Sequence, residues 1–396
     1  MPIRDFPTKG LDRESIKSFS NPPSGEPLFP SLRHLEFHYT DEDSPMLLPP
    51  LPSLISLDVR LRSPRVLVDS SGSFSNISLD LRTLTIRSLN CAGINKSRVD
   101  PSFISRWRNL RTFTCPNISL DMEALVCLSR LPALTQLSLK LSNTPLDPIP
   151  PSELPLLFST LDTLELHSLS LASISRLLLH IRTPAITTFS AFFDRHPSKL
   201  DVSSIFAGLH TCNIGHTIRN LCVIENWIVD CLYKPQAWSI LGLEDLQPCM
   251  AFSNLRCIVL RMGLNVNLTD GELQTLVSAC HLLKDLRINE EWGWNTLEGI
   301  TPNGLLQVFQ TCPSLYQIAV AIDTRGYTEF TPSPASLLGL TFPKIMDVVD
   351  SCIEAESVPA IANFFAAVVP YSRFLYSDVK CRGLRGFEHR GEHRTR

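Results

Sequence analysis

The feature that most constrains this chain is a short apolar pattern, L-x-x-L-x-L, that returns eleven times. The copies start at Leu32, Leu54, Leu81, Leu110, Leu134, Leu161, Ile186, Ile218, Leu255, Leu283 and Leu315. Successive starts lie 22 to 37 residues apart, about 28 on average. One copy would be weak evidence; eleven near-regular copies define a repeat. In an extended strand, alternate side chains face opposite ways. Positions 4 and 6 of each copy therefore face a core, and positions 3, 5 and 7 face out. Leu supplies 61 of the 396 residues, and the repeated lattice accounts for the excess. A chain of this length would ordinarily suggest two or three domains. A fixed period argues instead for one elongated unit whose length is set by repeat number.

Between the strands the spacing predicts helices over residues 121–131, 173–181, 269–283 and 301–312. Thr269 and Glu272 have capping-box spacing, and Pro302 suits the first turn of a helix. Strand and helix in alternation give parallel strands with helices on the other face. No single repeat can bury its own apolar face, so stacking must make one continuous core. The period lies within the range of leucine-rich repeats. The expected fold is an α/β leucine-rich-repeat solenoid of about eleven or twelve repeats, with strands on the concave face and helices on the convex face. Its expected span is residues 31–375, between an irregular segment at 1–30 and a basic, disordered tail at 376–396. Residues 41–52, acidic and Pro-rich, and the Ser-rich 63–78 read as loops. The long interval 224–251, with Trp227 and Trp238, has room for a degraded repeat.

Charge and motifs exclude several functions. The chain carries −3 overall, but residues 380–396 hold six Lys/Arg against two Glu, leaving the rest at −7. That body offers no global field for nucleic acid. Apolar stretches such as 364–369 fall far short of the ~18–20 residues that cross a bilayer. The N-terminal residues have no secretion-signal core. A cytoplasmic location is expected, with the nucleus open through the basic tail.

Twelve Cys are present, and no two form C-x-x-C, which argues against zinc. A disulfide framework suits short secreted chains, so reduced and mostly buried thiols are expected. The nucleotide-binding Gly-rich loops and the G-x-S-x-G elbow are absent. His389, Glu392 and His393 match H-x-x-E-H but sit in a Gly- and Arg-rich tail with no apolar helix face. Asn76, Asn95, Asn117 and Asn267 head glycosylation-type triplets that read as turns. A GTPase-activating role would need one singled-out Arg, and none stands out. The chain is expected to be non-enzymatic, with no cofactor and no metal.

The remaining candidate site is the outward strand surface. It offers Glu36, His38, Asp58, Arg60, Arg87, Lys140, Glu165, His167, Arg261, Arg287 and Asn289. A nucleic-acid groove would be one-sidedly basic with stacking aromatics. Mixed charge suits a protein or peptide partner. Trp292 and Trp294 flank Gly293 just after a strand and form a candidate aromatic hot spot.

Two details narrow the repeat type. Cys280 and Cys312 each stand three residues before a strand motif, ahead of Leu283 and Leu315. Leu268-TDGEL and Ile300-TPNGL place an apolar-Thr turn before a helix. These features resemble the cysteine-containing repeats of F-box proteins. Residues 243–260, 267–288, 299–323 and 345–370 resemble the repeat region of the large fungal F-box family. The resemblance implies the substrate-recognition part of a ubiquitin-ligase receptor, acting as a monomer on protein partners. The family's N-terminal F-box docks a Skp-type adaptor. Residues 12–27, polar and rich in Ser and Pro, cannot make that module, so adaptor binding is expected only through an F-box encoded upstream. The alternative is an intracellular leucine-rich-repeat scaffold or sensor unrelated to ubiquitin ligases.

Overall fold

The computed structural model describes residues 24–39, 48–61, 74, 77–88, 104–120, 122–141, 155–212, 217–226, 239–291, 293–295, 299–329, 342–349, 351, 353–368 and 374–376. Among them runs one thirteen-stranded sheet whose strands lie side by side in chain order. They are β1 (His34–Tyr39), β2 (Ser56–Leu61), β3 (Thr83–Ser88), β4 (Thr112–Leu120) and β5 (Gln136–Leu141). Next come β6 (Thr163–Ser168), β7 (Thr188–Phe193), β8 (Asn220–Glu225) and β9 (Cys257–Arg261). The sheet closes with β10 (Asp285–Ile288), β11 (Gln317–Ala319), β12 (Ile345–Asp347) and β13 (Phe374–Tyr376). Every neighbouring pair is parallel.

The motif sets the register. Leu35, Leu57, Leu84, Phe113, Leu137 and Leu164, all at position 4, stand opposite one another from strand to strand. Phe189, Leu221, Ile258, Leu286 and Ile318 continue the row. All eleven are buried, as are their position-6 partners from Phe37 to Val320. A one-residue slip would turn this row out to solvent, so burial and register enforce each other.

The convex layer is built by helices. These are α1 (Met122–Ser129), α2 (Leu171–His180), α3 (Lys199–Thr211), α4 (Leu243–Leu246), α5 (Asp270–Ala279), α6 (Pro302–Thr311) and α7 (Val358–Val368). In α2, Leu171, Ile174, Leu177 and Leu178 fall on one face and are buried in the core. Neighbouring helices pack against each other, α2 on α3 and α5 on α6. The expected capping box is present: Thr269 Oγ1 accepts from Glu272 N at 3.3 Å, and Thr269 N donates to Glu272 Oε2 at 2.8 Å. Pro302 occupies the first turn of α6.

Four departures from expectation have physical causes. First, β12 and β13 carry the sheet beyond the eleven motif copies. Met346 stands opposite Ile318, which puts Pro343 at position 1 and Val348 at position 6. Leu375 stands opposite Met346. Neither stretch spells the motif, yet Met346 and Val348 are buried as core residues. Second, interval 224–251 adds no strand to the sheet, because β8 pairs directly with β9. Its described part holds Ile240–Leu241, paired with Asn265–Val266 outside the main sheet, then α4 and a 3-10 turn at Gln247–Ala251. Third, β4 bulges between Cys115 and Ser119. Ser119, not Pro116, therefore stands opposite Lys140. Fourth, α3 begins at a Ser198–Asp201 capping box, whose Asp replaces the usual Glu and made the start easy to miss.

Residues 41–47 and 63–73, Trp227, Trp238, and His389, Glu392 and His393 of the tail lie outside the described residues. Among the described residues no helix is long and apolar enough to cross a membrane.

Candidate functional site

The open face of the sheet carries three rows of outward side chains, and the register fixes their neighbours. The position-5 row begins Glu36, Asp58, Thr85. The position-7 row begins His38, Arg60, Arg87. Acids in one row thus lie diagonally beside bases in the next, at cross-strand reach. His38 Nε2 lies 3.0 Å from Glu36 Oε1, and Arg60 pairs with the same carboxylate. The His38 hydrogen bond is the main influence holding Glu36 below the usual carboxylate range. Arg87 Nη2 lies 3.9 Å from Asp58 Oδ2.

The middle of the face is organised around Glu165. Its Oε1 accepts from Ser138 Oγ at 2.7 Å and lies 2.8 Å from His167 Nε2. These bonds, that of His167 first, hold its carboxyl low. The His167 ring stacks on Phe192, which stands opposite it on β7, with centroids 4.8 Å apart and planes 14° apart. Ile224 follows Phe192 in the same row. Lys140, opposite His167, makes no ion pair with any described residue. Here the face turns from charged to neutral: Ser190, Phe192, Cys222, Ile224 and Cys257 occupy consecutive strands.

Charge returns on β9 and β10. Arg287 grips Asp285 through two 3.0 Å bonds, from Nε to Oδ1 and from Nη2 to Oδ2. Its Nη1 reaches Glu290 at 3.3 Å. Arg261 pairs with Glu290 and, at 2.9 Å, with Glu291. The bidentate Asp285–Arg287 geometry is the strongest form of such a pair.

Ten of the eleven polar candidates thus lie on this face, and Asn289 does not. It is 0% exposed and has a φ of 53°. Its Oδ1 accepts from Met262 N at 2.9 Å, and its Nδ2 donates to Leu264 O at 2.7 Å. β10 ends at Ile288, so strand alternation no longer applies one residue later. Asn289 is a buried tie between two loops, in a left-handed conformation that Asn tolerates better than most residues.

The aromatic hot spot is also corrected. Trp294 is 0% exposed, and its Nε1 donates to Ile288 O at 2.9 Å. Left-handed turns at Asn289, Gly293 and Asn295 fold that loop inward. Trp292 lies outside the described residues. Four further outward positions, Ser138, Val259, Ala319 and Ala321, are buried as well.

The cysteines divide in two. Among the described residues, Cys115, Cys212, Cys249, Cys280 and Cys312 are buried thiols, whereas Cys127, Cys222 and Cys257 are half-buried, and none of the eight is in a disulfide. Burial pushes Cys212 and Cys280 up to about 12 and Cys312 up to about 11. Among the described residues no group of three or more His, Cys, Asp or Glu could hold a metal ion.

No protein-family model matches the chain, and no curated protein matches it. Among solved structures, an internalin from Listeria monocytogenes aligns with 93% of this chain and 89% of its own. The identity is 13% and the TM-score 0.45. The assignment to a parallel leucine-rich-repeat solenoid rests on the chain's own register and burial.

Proposed function

We propose that this chain is a non-enzymatic protein-recognition solenoid that docks a protein or peptide partner on the open face of its sheet. The observation that supports this most is the self-paired charge of that face. Glu36 meets Arg60, Asp58 meets Arg87, Asp285 meets Arg287, and Glu290 meets Arg261. A phosphate backbone running along the face would meet a carboxylate beside nearly every Arg. A polypeptide carries both signs and can exchange these bonds for its own. The neutral strip around Phe192 and Ile224, between two ionic zones, suits a partner with an apolar anchor and a polar rim. Glu36, His38, Asp58, Arg60, Arg87, Lys140, Glu165, His167, Arg261 and Arg287 are the proposed contacts.

The resemblance to F-box repeats adds a finer reading: the repeats at 31–375 serve as the substrate-recognition part of a ubiquitin-ligase receptor in the cytoplasm or nucleus. The Cys280 and Cys312 positions and the Thr269 and Thr301 caps support it. In this reading a Skp-type adaptor is reached only through an F-box. The test is the fate of the captured partner. For a ligase receptor, deleting the gene raises the partner's abundance, and blocking the proteasome removes the difference. If deletion leaves abundance unchanged, the scaffold reading replaces it.

A further inference from the structure

The rim where the strands begin carries a row of side chains that belongs to neither the core nor the open face. In β8 to β12 the strand starts at position 3 of the motif, at Asn220, Cys257, Asp285, Gln317 and Ile345. Position 2 falls just before it, so strand alternation does not bury it. Arg219, Arg256, Lys284, Tyr316 and Lys344 occupy that position, and all five are exposed. Their backbone locks them in a row. Arg219 O accepts from Arg256 N at 2.7 Å and from Cys257 N at 3.0 Å, and Arg256 O accepts from Lys284 N at 2.7 Å and from Asp285 N at 3.0 Å. Lys284 O accepts in the same way from Tyr316 N and Gln317 N, and Tyr316 O from Lys344 N and Ile345 N. Adjacent strands lie about 4.8 Å apart, so the row is about 19 Å long.

Four of the five are cations, and the fold does not neutralise them. None of the four makes an ion pair with a described residue. At position 3 of these strands the single acid is Asp285, and Arg287 already holds both its oxygens at 3.0 Å. Like charges directly opposite across strands are destabilising, so Arg219, Arg256 and Lys284 in register work against the fold. The open face sets carboxylates beside its Arg side chains; the rim does not. A local rule broken in this way marks a surface kept for an outside group, here an anionic one. Lys344 Nζ lies over the Tyr316 ring, 5.5 Å from its centroid. The single aromatic of the row thus has one face covered, which makes it a poor platform for stacking bases. The −7 of the chain outside its basic tail repels a long polyanion that runs past the rim. A short acidic segment feels mainly the local field, because salt screens beyond about 8 Å. Leu282, exposed two residues before Lys284, adds an apolar contact of the kind a polypeptide side chain uses.

We propose that the rim from Arg219 to Lys344 is a docking ridge for an acidic polypeptide segment. An extended chain rises about 3.3 Å per residue, so a run of about six Asp and Glu residues covers the row. Arg219 and Arg256 each offer a planar fork that binds a carboxylate through two N–H groups, and Lys284 and Lys344 act as point charges. The backbone ladder fixes the spacing of the four stems before the segment arrives, which lowers the ordering cost of binding. The ridge is a second contact surface beside the open face and binds whether or not that face is occupied.

The experiment titrates the full chain into a fluorescein-labelled oligoglutamate of about eight residues at about 50 mM salt and follows the anisotropy. Saturable binding is expected. Arg256→Glu/Lys284→Glu should weaken it by at least about tenfold, and Arg87→Glu/Lys140→Glu of the open face by less than about twofold. Both variants change the net charge equally, so general repulsion moves them alike and a ridge moves only the first. Arg256→Gln/Lys284→Gln should also lose affinity, without adding negative charge. Arg256 and Lys284 are exposed, so thermal unfolding of these ridge variants should match wild type. An absence of saturable binding, or an equal loss in the ridge and open-face variants, would overturn the proposal. So would tighter binding of an oligouridylate of the same length, which would make the ridge a nucleic-acid contact. The probe is a defined peptide, so the result does not depend on whether the open face docks a partner.

Discussion

Asp270, at the start of α5, accepts two hydrogen bonds from Thr301, the cap of the next helix. Thr301 N lies 2.8 Å from Asp270 Oδ1, and Thr301 Oγ1 lies 2.5 Å from Oδ2. Thr301 Oγ1 also accepts from Gly304 N at 3.1 Å. One carboxylate thus ties the N-terminus of α5 to that of α6, and a Cβ at Gly304 would fall 2.0 Å from Asp270 Oδ1. Asp270→Ala is expected to cost about 2–3 kcal/mol, since both bonds run to a charged acceptor. Thr301→Ala is expected to cost about 1–2 kcal/mol for the cap. The double variant should lose less than the sum, because the two share a partner. Gly304→Ala should be severe alone and mild beside Asp270→Ala. Urea unfolding of the five variants measures these couplings.

Asn289→Ala gives an opposite expectation from that of an exposed face residue. It removes two buried hydrogen bonds and leaves Ala in a left-handed turn. A loss of about 2–4 kcal/mol is expected. Asn289→Gly should recover the backbone part and not the hydrogen bonds. Denaturation midpoints of the two variants separate the contributions.

The face assignment of the repeat is tested by neighbouring residues on β6. Leu164 is fully buried, and Leu164→Ala is expected to cost about 2–5 kcal/mol. Thr163, one residue earlier, faces out, and Thr163→Ala should stay within about 0.5 kcal/mol. Thermal unfolding of the pair reads the difference.

Glu165 gives a pH dependence. Its carboxyl is held below its ordinary 4.5, chiefly by His167 and then by Ser138. The unfolded chain titrates at the ordinary value. The stabilisation is therefore complete above about 4.5 and is lost as pH falls through the lower folded-state pKa. Glu165→Gln lacks this contribution. The wild-type melting temperature should fall more steeply than the variant's between pH 5 and pH 3, as read by circular dichroism.

The fold was legible because two independent signals agreed: an apolar pair at strand spacing and a near-constant period. Leu57 opposite Leu84 and Leu286 opposite Ile318 are consequences of the motif. The last two strands were not legible, because neither stretch spells the motif: Pro343 stands where Leu would mark a copy on β12. Packing against β11 recruits β12 all the same. The face was legible as far as strand alternation held. Asn289 and Trp294 fall just past the end of β10, where left-handed turns decide which way a side chain points. A positive-φ turn was signalled by Asn289, Gly293 and Asn295 together.

The most direct test of the docking claim compares two faces of one molecule. The wild-type chain, an Arg87→Glu/Lys140→Glu variant of the open face, and a Leu200→Arg variant of the helical side are used as bait with equal folded fractions. Leu200 is 77% exposed on α3, so its change should leave the fold intact. Quantitative mass spectrometry of the captured proteins is predicted to show partners held by wild type and Leu200→Arg and lost, by at least about tenfold, from the open-face variant. Partners retained by the open-face variant and lost from Leu200→Arg would contradict the account.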